Sequence, residues 1–341
     1  MFKQRFILLA FTTLVLVLNA GAQTPCNGFD EGINKMKAGS YNDAIVVFTN
    51  CLNENPKSGL TYFQRGTCYL MTGKPNIAMV DFNQAILLDT SLYDTYFNRG
   101  LAHHALKNYT FAESDFLLYA SRKPSDFKVY KNLALMMEEM QDYNAAVNYY
   151  SQYLSHSEDD AEVLKARALA YSESGLYKSA IEDIDHCFRI TPNDTNLYML
   201  KGNIYYDAQK FAQAIDAYNN ILINSPGNRQ ARLNRADAMV SNLQFEEAIG
   251  EYKSLQMADR NNAEYYFSIG FCELQISQND KAVLSFTNAL DKDYENLGLL
   301  LMMRGVAYNN LKMQAEACAD WRKSKELGNL DVQNYLLNYC K

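Results

Sequence analysis

Ala44, Ala78, Ala112, Ala146, Ala180, Ala214, Ala248 and Ala282 follow one another at intervals of 34 residues without an insertion, and Ala317 follows after 35. Twelve residues before each Ala stands a small residue: Gly32, Gly66, Gly100, Ala134, Ala168, Gly202, Ala236, Gly270 and Gly305. Four residues after each Ala stands a large one: Phe48, Phe82, Phe116, Tyr150, Ile184, Tyr218, Tyr252, Phe286 and Trp321. A fixed period of this kind describes one supersecondary unit that cannot bury its apolar face alone, so the copies must stack on one another.

Each copy divides into two helical stretches. Tyr62, Gly66, Tyr69 and Leu70 show the spacing of three and four that marks one helix face, as do Ala78, Phe82, Ala85 and Ile86 in the second stretch. Gly39, Gly73 and Gly175, or polar residues in the same slot, separate the two. Pro75 suits the first turn of a helix, where its missing N–H costs nothing. Pro56, Pro124, Pro192 and Pro226 share one slot just past a second helix, where Pro stops continuation. The small stock of 16 Gly and 6 Pro is thus concentrated at a few positions of the period.

The period and its small, aromatic, Ala and Pro slots resemble the tetratricopeptide repeat. The resemblance runs from residue 25 to about 331, with copies starting near 25, 59, 93, 127, 161, 195, 229, 263 and 298. It implies an all-α fold, a right-handed superhelical α-solenoid of nine antiparallel helix pairs whose first helices line a concave, partner-binding groove. Residues 23–341 would form this single solenoid, with 331–340 as a capping helix over the last copy. The slot that usually holds Tyr carries Lys35 in copy one and Glu273 in copy eight, where looser packing is expected.

Lys3 and Arg5 precede an uncharged thirteen-residue run, Phe6 to Leu18, and Ala20-Gly21-Ala22 follows. This is the pattern of a secretory signal covering residues 1–22, with cleavage before Gln23 and a periplasmic or secreted product. The run is too short to span a bilayer comfortably, which takes about 20 apolar residues, so no membrane span is expected in the mature chain. The formal net charge is −7, and losing Lys3 and Arg5 makes it −9. Such a balance argues against nucleic acid as partner, because phosphate recognition needs a basic face.

Five copies place Arg directly before the small residue: Arg65, Arg99, Arg167, Arg235 and Arg304. Sixteen residues later the same copies hold Asp81, Asp115, Asp183, Glu251 and Asp320. The other four copies hold neither an Arg nor an Arg–acid combination in these slots. The slots lie opposite each other in an antiparallel hairpin, which predicts five Arg–carboxylate bridges of the forked kind. The seven Cys invite disulfides in an exported chain. Hairpin geometry brings Cys26 to Cys51, and the capping helix brings Cys340 to Cys318. Each pair would staple one end of the array. Cys68, Cys187 and Cys272 occupy slots that are apolar in other copies and read as buried thiols.

No Gly-rich phosphate loop, Gly-x-Ser-x-Gly or His-Glu-x-x-His occurs. The sequence therefore carries no catalytic, metal or cofactor motif, and a non-enzymatic role is expected. Candidate groove residues come from the first helices: Phe29, Phe63, Gln64, Thr67, Phe97, Asn98 and Leu101, then Lys131, Asn132 and Lys165, then Met199, Asn203, Tyr206, Phe267 and Phe271. The Phe residues would either face the groove or pack between neighbouring first helices. An apolar strip edged by amides suits a protein or peptide segment with apolar anchors. The expected function is a binding scaffold of the envelope or secreted space. The alternatives are an assembly module using its convex face or ends, and a glycan-binding solenoid.

Overall fold

The computed structural model describes residues 26–192 and 194–340. The signal-like segment 1–22 and its cleavage position before Gln23 lie outside the described residues. Those described form nineteen α-helices and one 3-10 turn, with no strand among them. They divide into two compact units, with the boundary between Ala170 and Tyr171.

The first unit holds α1 (Phe29–Lys37), α2 (Tyr41–Glu54), α3 (Gly59–Met71), α4 (Pro75–Leu88), α5 (Tyr93–Ala105), α6 (Tyr109–Arg122), α7 (Val129–Glu139), α8 (Tyr143–Leu154) and most of α9 (Ala161–Glu173). The second holds α10 (Tyr177–Ile190), α11 (Asn196–Asp207), α12 (Phe211–Asn224), α13 (Arg229–Ser241), α14 (Phe245–Ala258), α15 (Ala263–Gln275), α16 (Asn279–Leu290), α17 (Leu297–Asn310) and α18 (Gln314–Glu326). The 3-10 turn Leu330–Val332 and α19 (Gln333–Tyr339) complete it. Each unit is an all-α stack of helical hairpins in the manner of a solenoid, the odd-numbered helices up to α17 being first helices and α19 standing alone.

The hairpins close on the small-residue slot. A methyl group added at Gly66 would stand 2.8 Å from the Phe82 ring, at Gly100 2.9 Å from Phe116, and at Gly305 2.5 Å from the Trp321 indole. The absent side chain is what lets the ring lie flush on the opposing helix. Phe48, Phe82, Phe116, Tyr150, Tyr218, Phe286 and Trp321 are all fully buried. Each such burial contributes on the order of 2 kcal/mol or more. Where the slot holds Ala134 or Ala236, these residues are fully buried as well.

Between the two helices of a pair the chain turns through a left-handed residue. Gly73 has φ +73°, its N–H reaches the Leu70 carbonyl at 3.0 Å, and the Lys74 N–H reaches Tyr69 at 2.9 Å, closing the last helical turn. Lys107, Gln141, Gln209, Ser277 and Lys312 adopt the same conformation without glycine. Leu243 does so too, at φ 62° and 74% exposed. The expectation of glycine or a polar residue at this slot therefore holds in eight copies and fails at Leu243. The backbone hydrogen bonds, more than residue type, set the turn. The single extra residue before the ninth copy is absorbed at Asp293, also left-handed at φ 56°, which leaves Tyr294 stacked on Phe267 with centroids 4.3 Å apart.

Glu273 does not loosen its copy. It is 3% exposed and accepts a 2.7 Å hydrogen bond from the Ser285 hydroxyl, while burial pushes its carboxyl above the ordinary range. Lys35 lies half-buried, 3.6 Å from Glu31 one turn away. At the chain's end Tyr335 stacks on Trp321 at 4.9 Å, and Tyr339 lies 5.9 Å from it. Cys318 and Cys340 are disulfide-bonded with Cα atoms 5.6 Å apart, and Cys26 and Cys51 with Cα atoms 5.2 Å apart. Cys68, Cys187 and Cys272 are buried. Burial pushes the thiols of Cys68 and Cys272 up to about 12, a range in which thiolate chemistry is suppressed.

Two substitutions should move stability in opposite directions. Gly66→Ala sets a methyl against the Phe82 ring and is expected to lower the unfolding free energy by about 1 to 3 kcal/mol despite better helix propensity. Leu243→Gly relieves a left-handed conformation at an exposed site and is expected to raise it by about 1 kcal/mol. Urea unfolding followed by circular dichroism measures both.

Candidate functional site

The Arg slot organises the hairpin on both sides. Arg65 donates from Nε to Asp81 Oδ2 at 2.9 Å and from Nη2 to Oδ1 at 2.8 Å. Arg99 does the same to Asp115 at 2.7 and 2.7 Å, and Arg304 to Asp320 at 2.7 and 2.8 Å. Arg235 reaches Glu251 through Nη2 alone, at 2.6 Å. The four acids are strongly shielded, and the hydrogen bonds to Asp81, Asp115 and Asp320 push the Arg65, Arg99 and Arg304 guanidiniums further above their usual range.

The sequence reading missed the other half of this device. The remaining nitrogen of each guanidinium reaches backward to the preceding copy. Arg65 Nη1 donates to Thr49 at 3.2 Å, Arg99 to Asn83 at 2.8 Å, Arg167 to Ser151 at 3.0 Å, Arg235 to Asn219 at 2.5 Å and Arg304 to Thr287 at 3.2 Å. Four of the five acceptors stand sixteen residues upstream, and Thr287 stands seventeen because of the extra residue. One planar fork thus ties its own hairpin together and holds it to its predecessor. In copy six, Lys201 holds the slot and the ion pair runs only backward, 2.6 Å to Asp185.

The expected groove residues separate into two groups. Phe29, Phe63 and Phe97 each stand beside the aromatic ring of the facing second helix. Their rings lie 5.7, 6.4 and 5.5 Å from Phe48, Phe82 and Phe116, and Phe267 lies 5.6 Å from Phe286. They lean on the hairpin's own core, Phe29 and Phe267 fully enough to be buried, while Phe63 and Phe97 stay half-buried and keep part of their surface at the first-helix face. The reason is area: a ring beside the small-residue slot finds an aromatic partner across the hairpin, which removes more apolar surface from water than a groove would. Phe29, Phe267 and Gln64 are buried.

The second group remains at the first-helix face and is partly wired together. Asn98 Nδ2 donates to Thr67 Oγ1 at 2.9 Å, and Asn234 Nδ2 to Asn203 Oδ1 at 3.1 Å, each rung joining consecutive first helices. Tyr206 and Ser241 hydroxyls lie 3.2 Å apart, and His104 Nε2 is 2.6 Å from Glu139. Leu101, Lys131, Asn132, Met199 and Phe271 are half-buried, as is Lys165, which bonds Glu162 at 2.6 Å. Lys131 also stands 5.9 Å over the Tyr153 ring. Near this face in the second unit, burial and the neighbouring Glu173 push the Asp207 carboxyl upward. Among the described residues no group of three His, Cys, Asp or Glu is placed to hold a metal ion, and no helix is long and apolar enough to cross a membrane.

Two family models described as tetratricopeptide repeat match residues 161–194 and 205–267. The slots those segments carry recur in register through the other copies. The two matched segments are tetratricopeptide repeats. The C-terminal part of a tetratricopeptide-repeat-containing protein from Cytophaga hutchinsonii shares the fold at 15% identity and a TM-score of 0.54, covering 78% of this chain and 96% of that one. A tetratricopeptide repeat protein from Parabacteroides merdae aligns at 15% identity and a TM-score of 0.49, covering 73% and 98%. Comparison with curated proteins gives no significant match.

In these hairpins the shielded forks should be indispensable singly and replaceable together. Asp115→Ala leaves the Arg99 charge shielded without its partner and is expected to cost about 3 to 5 kcal/mol. The double substitution Arg99→Met with Asp115→Leu should recover most of that loss. Urea midpoints for the single and double variants provide the check.

Proposed function

We propose that this protein is a non-catalytic interaction scaffold that holds a protein or peptide segment against its first-helix face. The observation that carries the reading is the partition just described. Phe29 and Phe267 are buried in the hairpins, and the remaining surface is a run of amides, hydroxyls, aliphatic stems and a few charges with the half-buried rings of Phe63, Phe97, Tyr206 and Phe271 among them. Such a surface can bond an extended main chain while half-buried apolar groups take its side chains. The rungs Asn98–Thr67 and Asn234–Asn203 fix the amides in place before any partner arrives, which reduces the ordering cost of binding.

The same reading places the protein outside the cytoplasm, in the periplasm or beyond. Its support is the charged, apolar and small-residue order of the first 22 residues together with two disulfides at the ends of the array.

A second reading, an assembly module that docks by its other face, draws on exposed apolar residues of the second helices in the first unit. Ile77, Val80 and Phe111 are 46, 67 and 65% exposed. Ser114 and Asp216 are exposed positions on second helices, α6 and α12. Photo-crosslinking side chains placed singly at Asn98, Lys131 and Asn203, and at Ser114 and Asp216, separate the two readings in the organism's own cells. Protein adducts from the first three positions alone are the expected result. Adducts confined to Ser114 and Asp216 would replace the scaffold-groove reading with the assembly reading.

A further inference from the structure

Copies two and three carry a Tyr three residues before the Arg, and its ring lies by the guanidinium. Tyr62 is 5.5 Å from Arg65, and Tyr96 is 5.4 Å from Arg99. Copy seven departs from this arrangement. Arg232 stands in the Tyr slot, and the acid is Glu251 where the neighbouring forks use Asp. The longer carboxylate is divided between two guanidiniums: Oε1 takes Arg235 Nη2 at 2.6 Å and Oε2 takes Arg232 Nη1 at 3.1 Å. The other recorded partners are neutral. Arg235 Nη1 donates to Asn219 at 2.5 Å, and Arg232 Nη2 donates to the Pro226 carbonyl at 2.7 Å. Arg235 Nε is buried without a partner, whereas in Arg65, Arg99 and Arg304 this nitrogen bonds the carboxylate.

Two positive groups therefore share one negative group where the side chains of Arg232, Arg235 and Glu251 are only 25, 17 and 15% exposed. One unit of charge is left over in a half-desolvated place. Beside it opens a depression of about 470 Å³, lined by Asn219, Leu222, Ile223, Pro226, Arg232 and Arg235. Ile223 offers an apolar wall that is 74% exposed. The chemistry that satisfies such a lining is an anion joined directly to a small apolar body. A planar carboxylate matches the guanidinium fork, and the partial burial strengthens the pairing over its value in water.

We propose that this depression is a ligand site for a carboxylate carried on a short aliphatic group, held by Arg232 and Arg235 with its aliphatic part against Leu222, Ile223 and Pro226. The site is separate from the first-helix face and does not depend on that reading. A peptide ending in an aliphatic residue and a free short-chain acid present the same chemistry.

The test titrates the full mature chain with N-acetyl-leucine and with hexanoate. N-acetyl-leucinamide and hexanol serve as neutral counterparts, and ligand-detected NMR reports the affinities. The expected result is binding of at least one acid, with its neutral counterpart at least about tenfold weaker. Arg232→Tyr installs the residue that copies two and three already tolerate and should weaken acid binding at least about tenfold. Ile223→Glu, at an exposed position, should do the same by placing a competing carboxylate in the depression. Tighter binding of N-acetyl-leucine supports the site as one for a peptide end, and tighter binding of hexanoate supports it as one for a free acid. Equal binding of acids and neutral probes, binding unchanged in both variants, or binding of none of the four probes would overturn the proposal.

Discussion

Everything in these hairpins hangs on the close approach that a small side chain permits to a ring lying across from it. At Gly66, Gly100 and Gly305 the facing ring occupies the volume where a Cβ would sit. The ring then becomes fully buried, and the second helix is held at a distance that no larger residue would allow. The same approach brings the neighbouring slot of the first helix within reach of the carboxylate on the second. The Arg pairs form where a small residue, Gly or Ala, holds the adjoining slot, as Gly66 does beside Arg65 and Ala236 beside Arg235. The forks then add directional bonds between the two helices at that spacing.

The period, the two helices per copy, the Pro stops and the small-against-large contact could all be read from residue spacing, because each is a local constraint repeated many times. The glycine-free turns were harder to read. A left-handed Leu243 is visible only when the backbone bonds that enforce it are seen. The backward contacts of the Arg residues were within reach of the same arithmetic that found the forward ones. Thr49, Asn83, Ser151 and Asn219 all stand sixteen residues before an Arg, but they vary in type and carry no charge to draw notice.

The face offered to a partner was the least legible part. Periodicity assigns a residue to a helix face but does not decide which way a long side chain leans along its border. Phe29, Phe63, Phe97 and Phe267 sit at such a border, and the hairpin core captured them. Small polar residues at comparable positions, Asn98 and Asn203 among them, had nothing to gain by turning inward and stayed at the surface.

The backward reach of the guanidinium also makes the copies unequal in a directional sense. A copy entered through Arg needs a polar acceptor at the exit of the copy before it, and Thr49, Asn83, Ser151, Asn219 and Thr287 answer that need. Leu117 occupies the exit slot before Leu133, so an apolar exit there precedes an apolar entry. Lys201 entered after Asp185 uses a third pairing. Exchanging copies across these joints would set a guanidinium donor against a Leu side chain, with a desolvation penalty on the order of a few kcal/mol. The array is consequently an ordered word with its own junction rules, and shuffling its letters would be resisted at particular joints and tolerated at others.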